Sequence, residues 1–308
     1  MLSQSRRAFL TGRRTPQDAW QAFCQAMRRT IDGTFYEFDR GDGPGSARLT
    51  PKQASDVHKA RALCGEHGVL FALDDVARAA RQDELPVLWV DPGRSLGLCQ
   101  RLEPDGPLWF VQPGCLLGEL EAAGMTAFAE LPCHITVASW LADRCLCDWP
   151  AGETFRSGVV QASVLLDDGV VVNLGPFGER NRKPLDGARL QRLIPALFQL
   201  SAESAARDCR GEVAWPARYR LDALSPAAGH TVNLAHLILG HGGDLGWLEW
   251  VVIDERLAMP LAERPYEQRF SVSRADDAGL AAQAGELDMR MKALFDPESR
   301  FPHPGQDL

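Results

Sequence analysis

The spacing of apolar residues divides this chain into a short leading segment and a long alternating one. Trp20, Phe23, Met27 and Ile31 recur at intervals of three and four, which places them on one face of a helix. Thr15 is placed to cap that helix, Pro16 suits its first position, and Asp18 completes a Thr-x-x-Asp capping box. Gly33 is placed to stop it. The run Asp39-Arg-Gly-Asp-Gly-Pro-Gly-Ser46 reads as a flexible linker. Residues 1–45 are therefore expected to form a basic arm and an amphipathic helix appended to a main domain over 46–260.

From Thr50 onward helices and strands alternate. Thr50-Pro51 opens a helix that runs to about Gly65, followed by a strand at Val69–Ala72 and a second helix at Val76–Arg81. Pro86–Val90 and Leu108–Val111 are compact apolar strands, and Leu116–Ala123 is a short helix with Leu117 and Leu120 on one face. Val159–Leu166 and Val170–Leu174 are joined by Asp167-Asp168-Gly169, and Asp-Gly suits a type I′ hairpin turn. Leu280, Ala284, Leu287, Met291 and Leu294 mark a last helix within 261–308. The expected fold class is α+β.

Composition narrows the functional classes. The 308 residues carry 33 Lys+Arg against 41 Asp+Glu, a formal charge of −8, which argues against nucleic acid as a partner. No apolar run approaches the ~18 residues of a membrane-spanning helix. The eight cysteines are scattered, and several sit in apolar runs, as expected of reduced thiols in a cytoplasmic protein. Cys145-Leu-Cys147 and Cys133-His134 lack the partners and spacing of a zinc site, so no metal is expected. Ser5-Arg6-Arg7-Ala8-Phe9-Leu10 has the form of a twin-arginine export motif, but a polar stretch follows where an apolar one is needed. Among the histidines, His58 and His67 read as surface residues. His236 reads as a satisfied core residue and His241 as the one to test. The charged run Glu179–Lys183 reads as a solvated loop.

The densest chemical signal is Asn233 to Ile253, where Gly240, Gly242, Gly243 and Gly246 fall between an apolar run and a strand. Such glycines serve either a tight turn or the close approach of backbone to a ligand. In order along the chain, four further stretches resemble segments of the FAD-linked oxidase superfamily, the PCMH-type flavin-binding fold of vanillyl-alcohol oxidase relatives. They are Trp109–Leu120 with Gly114, Leu131-Pro132, Val164–Gly169, and Leu294–Gly305 with its Phe-Asp-Pro. Asn233–Ile253 is similar to the family's Gly-x-x-Gly-x-Leu-Gly element, and the overall likeness is greatest to the FAD-binding subunit of glycolate oxidase.

That resemblance implies two α+β subdomains, FAD as cofactor, and a 2-hydroxy-acid dehydrogenase complex with partner redox subunits. It assigns cofactor contacts to Gly114, Pro132, Gly240, His241, Gly242, Gly243, Leu245 and Gly246. Docking on a partner through the leading helix is expected as well, and so is a place in the cytoplasm, at the inner face of the membrane through a partner. The chain departs from the family in three places. Phe71-Ala72-Leu73-Asp74-Asp75 stands where the first glycine loop cradles pyrophosphate, and Ile135–Ala142 stands where the second does. Only about forty residues, 254–294, stand where the family has a cap domain. Two readings stay open: a flavin-carrying oxidoreductase subunit, and a cofactor-free scaffold or assembly factor for a redox partner.

Overall fold

The computed structural model describes residues 18–39, 43–74, 85–178, 185, 187–260 and 277–303. The fold is α+β, as expected, with two sheets. The smaller is built from β1 (Thr34–Glu37), β2 (Ser46–Thr50), β3 (Leu70–Leu73) and β4 (Val87–Val90) in the order β1-β2-β4-β3. The β1–β2 pair is antiparallel, and β2–β4 and β4–β3 are parallel. The larger sheet is antiparallel throughout. It comprises β5 (Cys99–Arg101), β6 (Leu108–Val111), β7 (Val159–Leu165), β8 (Val171–Leu174) and β9 (Trp247–Asp254), in the order β5-β6-β9-β7-β8.

Seven helices are described: α1 (Ala19–Thr30), α2 (Ala54–His67), α3 (Leu117–Ala122), α4 (Val137–Ala142), α5 (Ala188–Ser201), α6 (Ser204–Arg210) and α7 (Ala278–Phe295). Among the described residues, nothing between Asp254 and Ala278 adds a further helix or strand. No described helix is long and apolar enough to cross a membrane.

Helix α1 buries the expected stripe of Trp20, Phe23 and Met27, together with Cys24. Those side chains join Leu49, Val57, Phe71 and Leu88 in the core of the small sheet, and β1 pairs along β2. The segment set apart as an appendage thus supplies both an edge strand and a core face. The described start of α1 is capped by Asp18, which accepts from the Trp20 amide at 3.3 Å, and Thr15 and Pro16 lie outside the described residues. The helix ends at Thr30 rather than at Gly33. Gly33 serves a close approach instead, since a Cβ there would stand 2.5 Å from the Thr50 carbonyl oxygen.

Two further differences have simple causes. The linker reading ended at Ser46, which opens β2. With only Ala47 and Leu49 pointing inward, that strand is too short for its alternation to register. The 167–169 hairpin is a three-residue loop, not a two-residue type I′ turn. Leu166 and Val170 pair across it at 2.9 Å, the Gly169 amide donates to the Leu166 carbonyl at 3.0 Å, and Gly169 alone in the loop has positive φ (82°). The helix expected at Val76–Arg81, the Arg6-Arg7 arm and the Glu179–Lys183 run lie outside the described residues.

Because Phe23 is fully buried, Phe23→Ala is expected to cost about 3–5 kcal/mol. Urea unfolding should show the main transition moved to lower denaturant. An α1 that is only appended would leave that transition in place.

Candidate functional site

The elements that the resemblance singles out meet around α4. All six of its residues are buried. Val137, Trp140 and Leu141 pack into the core of the large sheet, while Ala138 and Ala142 pack with Phe71, Leu73, Trp247 and Phe301 in the core of the small one. The stretch compared with a glycine loop is thus a helix at the seam of two cores.

A wholly buried helix must have its terminal backbone groups satisfied by protein, since water cannot reach them. At the N-terminal end, the Val137 amide donates to the Cys115 carbonyl at 2.8 Å and the Ala138 amide to the Pro113 carbonyl at 3.0 Å. The Ser139 amide donates to Thr136 Oγ1 at 3.1 Å, the N-cap bond that Thr-x-x-Ser allows. At the C-terminal end, the Gly240 amide donates to the Leu141 carbonyl at 2.6 Å and the Gly242 amide to the Ala142 carbonyl at 2.8 Å. The glycine turn is therefore a cap for α4, built from a distant part of the chain.

Its glycines are required by that task. Gly240, Gly242, Gly243 and Gly246 have φ of 70°, 68°, 75° and 157°, a region that L side chains rarely adopt. The protein's own side chains occupy the space in front of three of them. A Cβ at Gly240 would lie 2.5 Å from Arg144 Cδ, one at Gly242 2.0 Å from Arg218 Nη2, and one at Gly246 2.6 Å from Val164 Cγ1.

The arginines are fixed by buried acids and carbonyls. Arg144 pairs with Asp148 and donates to the Trp215 carbonyl at 3.1 Å, and Arg218 pairs with Asp244 at 3.0 Å. Nearby Arg220 and Asp222 are fully buried. They form a two-pronged pair at 2.9 and 2.6 Å, and Arg220 also donates to the carbonyls of Cys147, Trp149 and Pro150. Lys292 of α7 donates to the Asp244 carbonyl at 2.6 Å and pairs with Asp296 of the Phe-Asp-Pro segment. Burial pulls the Lys292 ammonium below its ordinary range. Asp296 in turn accepts the Arg300 and Phe301 amides at 2.8 and 3.0 Å, which folds the tail back against Phe71.

The predicted contacts fall in three places. Gly240, His241, Gly242, Gly243, Leu245 and Gly246 are together in the buried turn at the C-terminal end of α4. Gly114 is buried near the opposite end, about 9 Å away along the helix axis. A Cβ there would stand 1.9 Å from the Gly93 carbonyl oxygen. Pro132 is exposed on the loop before α4. His236 is the satisfied core residue expected. Its Nδ1 meets Thr154 Oγ1 at 3.0 Å and its Nε2 meets the Val159 carbonyl at 2.8 Å, so the ring is a neutral donor at Nε2. His58 is a half-exposed partner of Glu249. Arg144, Arg218, Arg220, Asp222 and Lys292 organise this region. No spacing rule points to them.

No family model matches this sequence, and no curated protein is similar to it. Solved structures do resemble parts of it. Wild-type Physcomitrella patens BBE-like 1 is 10% identical, with a TM-score of 0.40 over 75% of this chain and 44% of that one. P-cresol methylhydroxylase with substrate bound is 14% identical, with a TM-score of 0.44 over 80% and 44%. Alkyldihydroxyacetonephosphate synthase is 12% identical, with a TM-score of 0.37 over 68% and 32%. The chain thus spans less than half the length of each, and no residue role is carried across from them.

Whether FAD suits the residues present is decided by α4 and its surroundings. A dinucleotide pyrophosphate needs backbone amides free to donate and side-chain-free space in front of them. Here the three leading amides of α4 and those of Gly240 and Gly242 all donate within the protein, and three glycine faces are filled. At the end of β3, Asp74 pairs with Arg48 at 2.6 Å, and Asp91 shares the same guanidinium at 3.1 Å. These residues do not form a pyrophosphate cradle. Among the described residues, no group of three or more His, Cys, Asp or Glu is placed to hold a metal ion.

Two outcomes follow. Gly242→Ala should destabilise by about 2–4 kcal/mol through backbone strain and displacement of Arg218. Gly68→Ala has the same sign of φ (67°) with nothing within 4 Å of the added Cβ, and should cost only about 1 kcal/mol. Urea midpoints that fall equally for both would remove the packing role.

Burial lowers the His236 pKa to about 4 from 6.5, so the unfolded chain binds the extra proton between those values. Its contribution, about 3 kcal/mol, is complete above pH 6.5 and is lost as pH falls to 4. Asp288, raised by burial to about 6, acts with opposite sign, losing its contribution as pH rises from 3.8 to 6. Comparing His236→Gln with the parent isolates the histidine. The difference in unfolding free energy should shrink from pH 7 to pH 4, and a constant difference would contradict the assignment.

Proposed function

We propose that this chain uses an FAD-linked oxidase-like frame without the flavin, as a scaffold or assembly subunit for a redox partner. The observation behind this reading is the complete internal use of the α4 backbone, with arginine side chains standing where a cofactor would need open glycines. A flavin-carrying subunit of a 2-hydroxy-acid dehydrogenase is the competing reading. It rests on the order of motifs along the chain, and those same motifs also have structural duties: the glycine turn caps a helix, and the Phe-Asp-Pro segment anchors a tail. No catalytic step is assigned to the described residues. The apolar stripe of α1 faces the chain's own core, so docking through that helix would use its polar face.

The test is direct. The purified protein should be colourless in the visible, and added FAD should bring neither bound-flavin absorbance nor a rise in melting temperature. A ligand that binds the folded state alone must raise apparent stability by mass action. Flavin bands near one per chain, or an FAD-dependent melting shift, would overturn the proposal in favour of the flavoprotein.

A further inference from the structure

The outer edge of the small sheet carries a separate inference, which rests on neither reading of the cofactor. Strand β1 is the last strand of that sheet and pairs only with β2. Beyond its end, the Phe38 amide donates to the Ser46 carbonyl at 2.9 Å. In an antiparallel ladder, both backbone groups of every second residue face the same neighbour. Thr34, Tyr36 and Phe38 therefore turn theirs to β2, and Phe35 and Glu37 turn theirs outward. Among the described residues, nothing pairs with those four outward groups.

The residues along this edge do not protect it. Edge strands are ordinarily kept from pairing by lysine, proline or a bulge. Thr34-Phe-Tyr-Glu-Phe38 has no lysine or proline, and its register with β2 is unbroken. Tyr36 and Phe38 lie on the sheet face turned away from α1, 61% and 39% exposed, with their rings edge to face at 5.2 Å. On the other face, Phe35 meets Phe23 of α1 at 6.5 Å between ring centres. Arg28 of α1 pairs with Glu37 at 2.5 Å and also lies over the Phe35 ring at 5.6 Å.

We propose that β1 is a self-pairing edge, at which two copies of this chain join antiparallel about a two-fold axis through Tyr36. Two four-stranded sheets then become one of eight strands. Hydrogen-bond parity leaves three symmetric registers on this strand, with Phe35, Tyr36 or Glu37 facing itself. Centring on Glu37 sets two carboxylates directly opposite each other, which is unfavourable. Centring on Phe35 carries Glu37 off the end of the strand to Gly33. Centring on Tyr36 uses the whole strand. Phe35 of each copy then faces Glu37 of the other, and the outward groups of the two copies meet in four hydrogen bonds.

The side chains agree with that register on both faces. Glu37 of the second copy arrives opposite Phe35, beside the exposed Arg28, so each arginine sits between two carboxylates. On the outer face, the two Tyr36 residues form the closest pair of the ladder, with Cα atoms about 4.5 Å apart. Their rings cover each other where each is now open to water. A second copy supplies, by symmetry, a carboxylate for each arginine and a ring for each ring. An unrelated extended segment would satisfy the backbone alone.

The experiment uses the full chain carrying Cys133→Ser and Cys145→Ser, which removes the two exposed thiols. Sedimentation velocity across a dilution series should show a monomer–dimer equilibrium. Residue-resolved hydrogen exchange should slow at the Phe35 and Glu37 amides as the dimer fills. Tyr36→Lys puts two like charges face to face at the axis and should weaken dimerisation by about tenfold or more. Because the Tyr36 ring is mostly exposed, the far-UV spectrum of that variant should match the parent, which separates lost pairing from lost folding. Tyr36→Cys should yield, on mild oxidation, a covalent dimer linked through that position, since facing residues of this kind lie within disulfide reach. Phe38→Cys, which the register places opposite Thr34, should cross-link far more slowly. A chain that stays monomeric, whether or not another protein's strand pairs with β1, would overturn the proposal. So would a dimer that Tyr36→Lys leaves intact, or cross-linking as fast through Phe38→Cys as through Tyr36→Cys.

Discussion

A six-residue helix with no access to water is the constraint around which this molecule is arranged. Helix α4 sits between two cores and contributes side chains to both. So short a helix has at least as many terminal backbone groups as internal ones. Each terminal group must meet a partner, because an unpaired buried amide or carbonyl costs about 1–3 kcal/mol. The loop at 113–115 serves one end and the glycine turn at 240–242 the other. Positive φ at the turn then admits Arg144 and Arg218 to its surface, and their charges call for Asp148 and Asp244. Lys292 and Asp296 extend the network to α7 and the tail. One burial requirement thus links segments nearly two hundred residues apart.

Buried ion pairs of this kind do not by themselves argue for high stability, since desolvation offsets much of the Coulombic gain. Their effect here is better described as fixing position. Arg220 reaches the carbonyls of Cys147, Trp149 and Pro150 while held by Asp222, so it pins an irregular stretch that no strand or long helix organises. An apolar side chain of similar volume would leave those three carbonyls unpaired.

Much of the architecture was legible in the sequence, for reasons that vary by element. The face of α1, the β3, β4 and β6 runs and the β7–β8 hairpin follow from periodicity and turn chemistry. Strands β1 and β2 did not show, because four or five residues with two inward apolar positions carry too little pattern. The Gly240–Gly246 turn was found at once, but glycine spacing cannot distinguish a backbone opened to a ligand from one opened to an arginine. That difference lies in Arg144 and Arg218, which the chain brings to the turn from about a hundred and about twenty-five residues away. The absence of glycine from Ile135–Ala142 was visible in the sequence. That the stretch is a sealed helix follows only once Thr136 Oγ1, Cys115 O and Pro113 O are seen to accept its amides.

The central claim is that the backbone groups a dinucleotide would need are already bound within the protein. Residue-resolved amide hydrogen exchange, by NMR, addresses it at the atoms concerned. The amides of Val137, Ala138, Ser139, Gly240 and Gly242 should exchange slowly without ligand, with neither exchange rate nor chemical shift altered by added FAD. Rapid exchange in the free protein, with protection and shifts gained at these amides on adding FAD, would contradict the account.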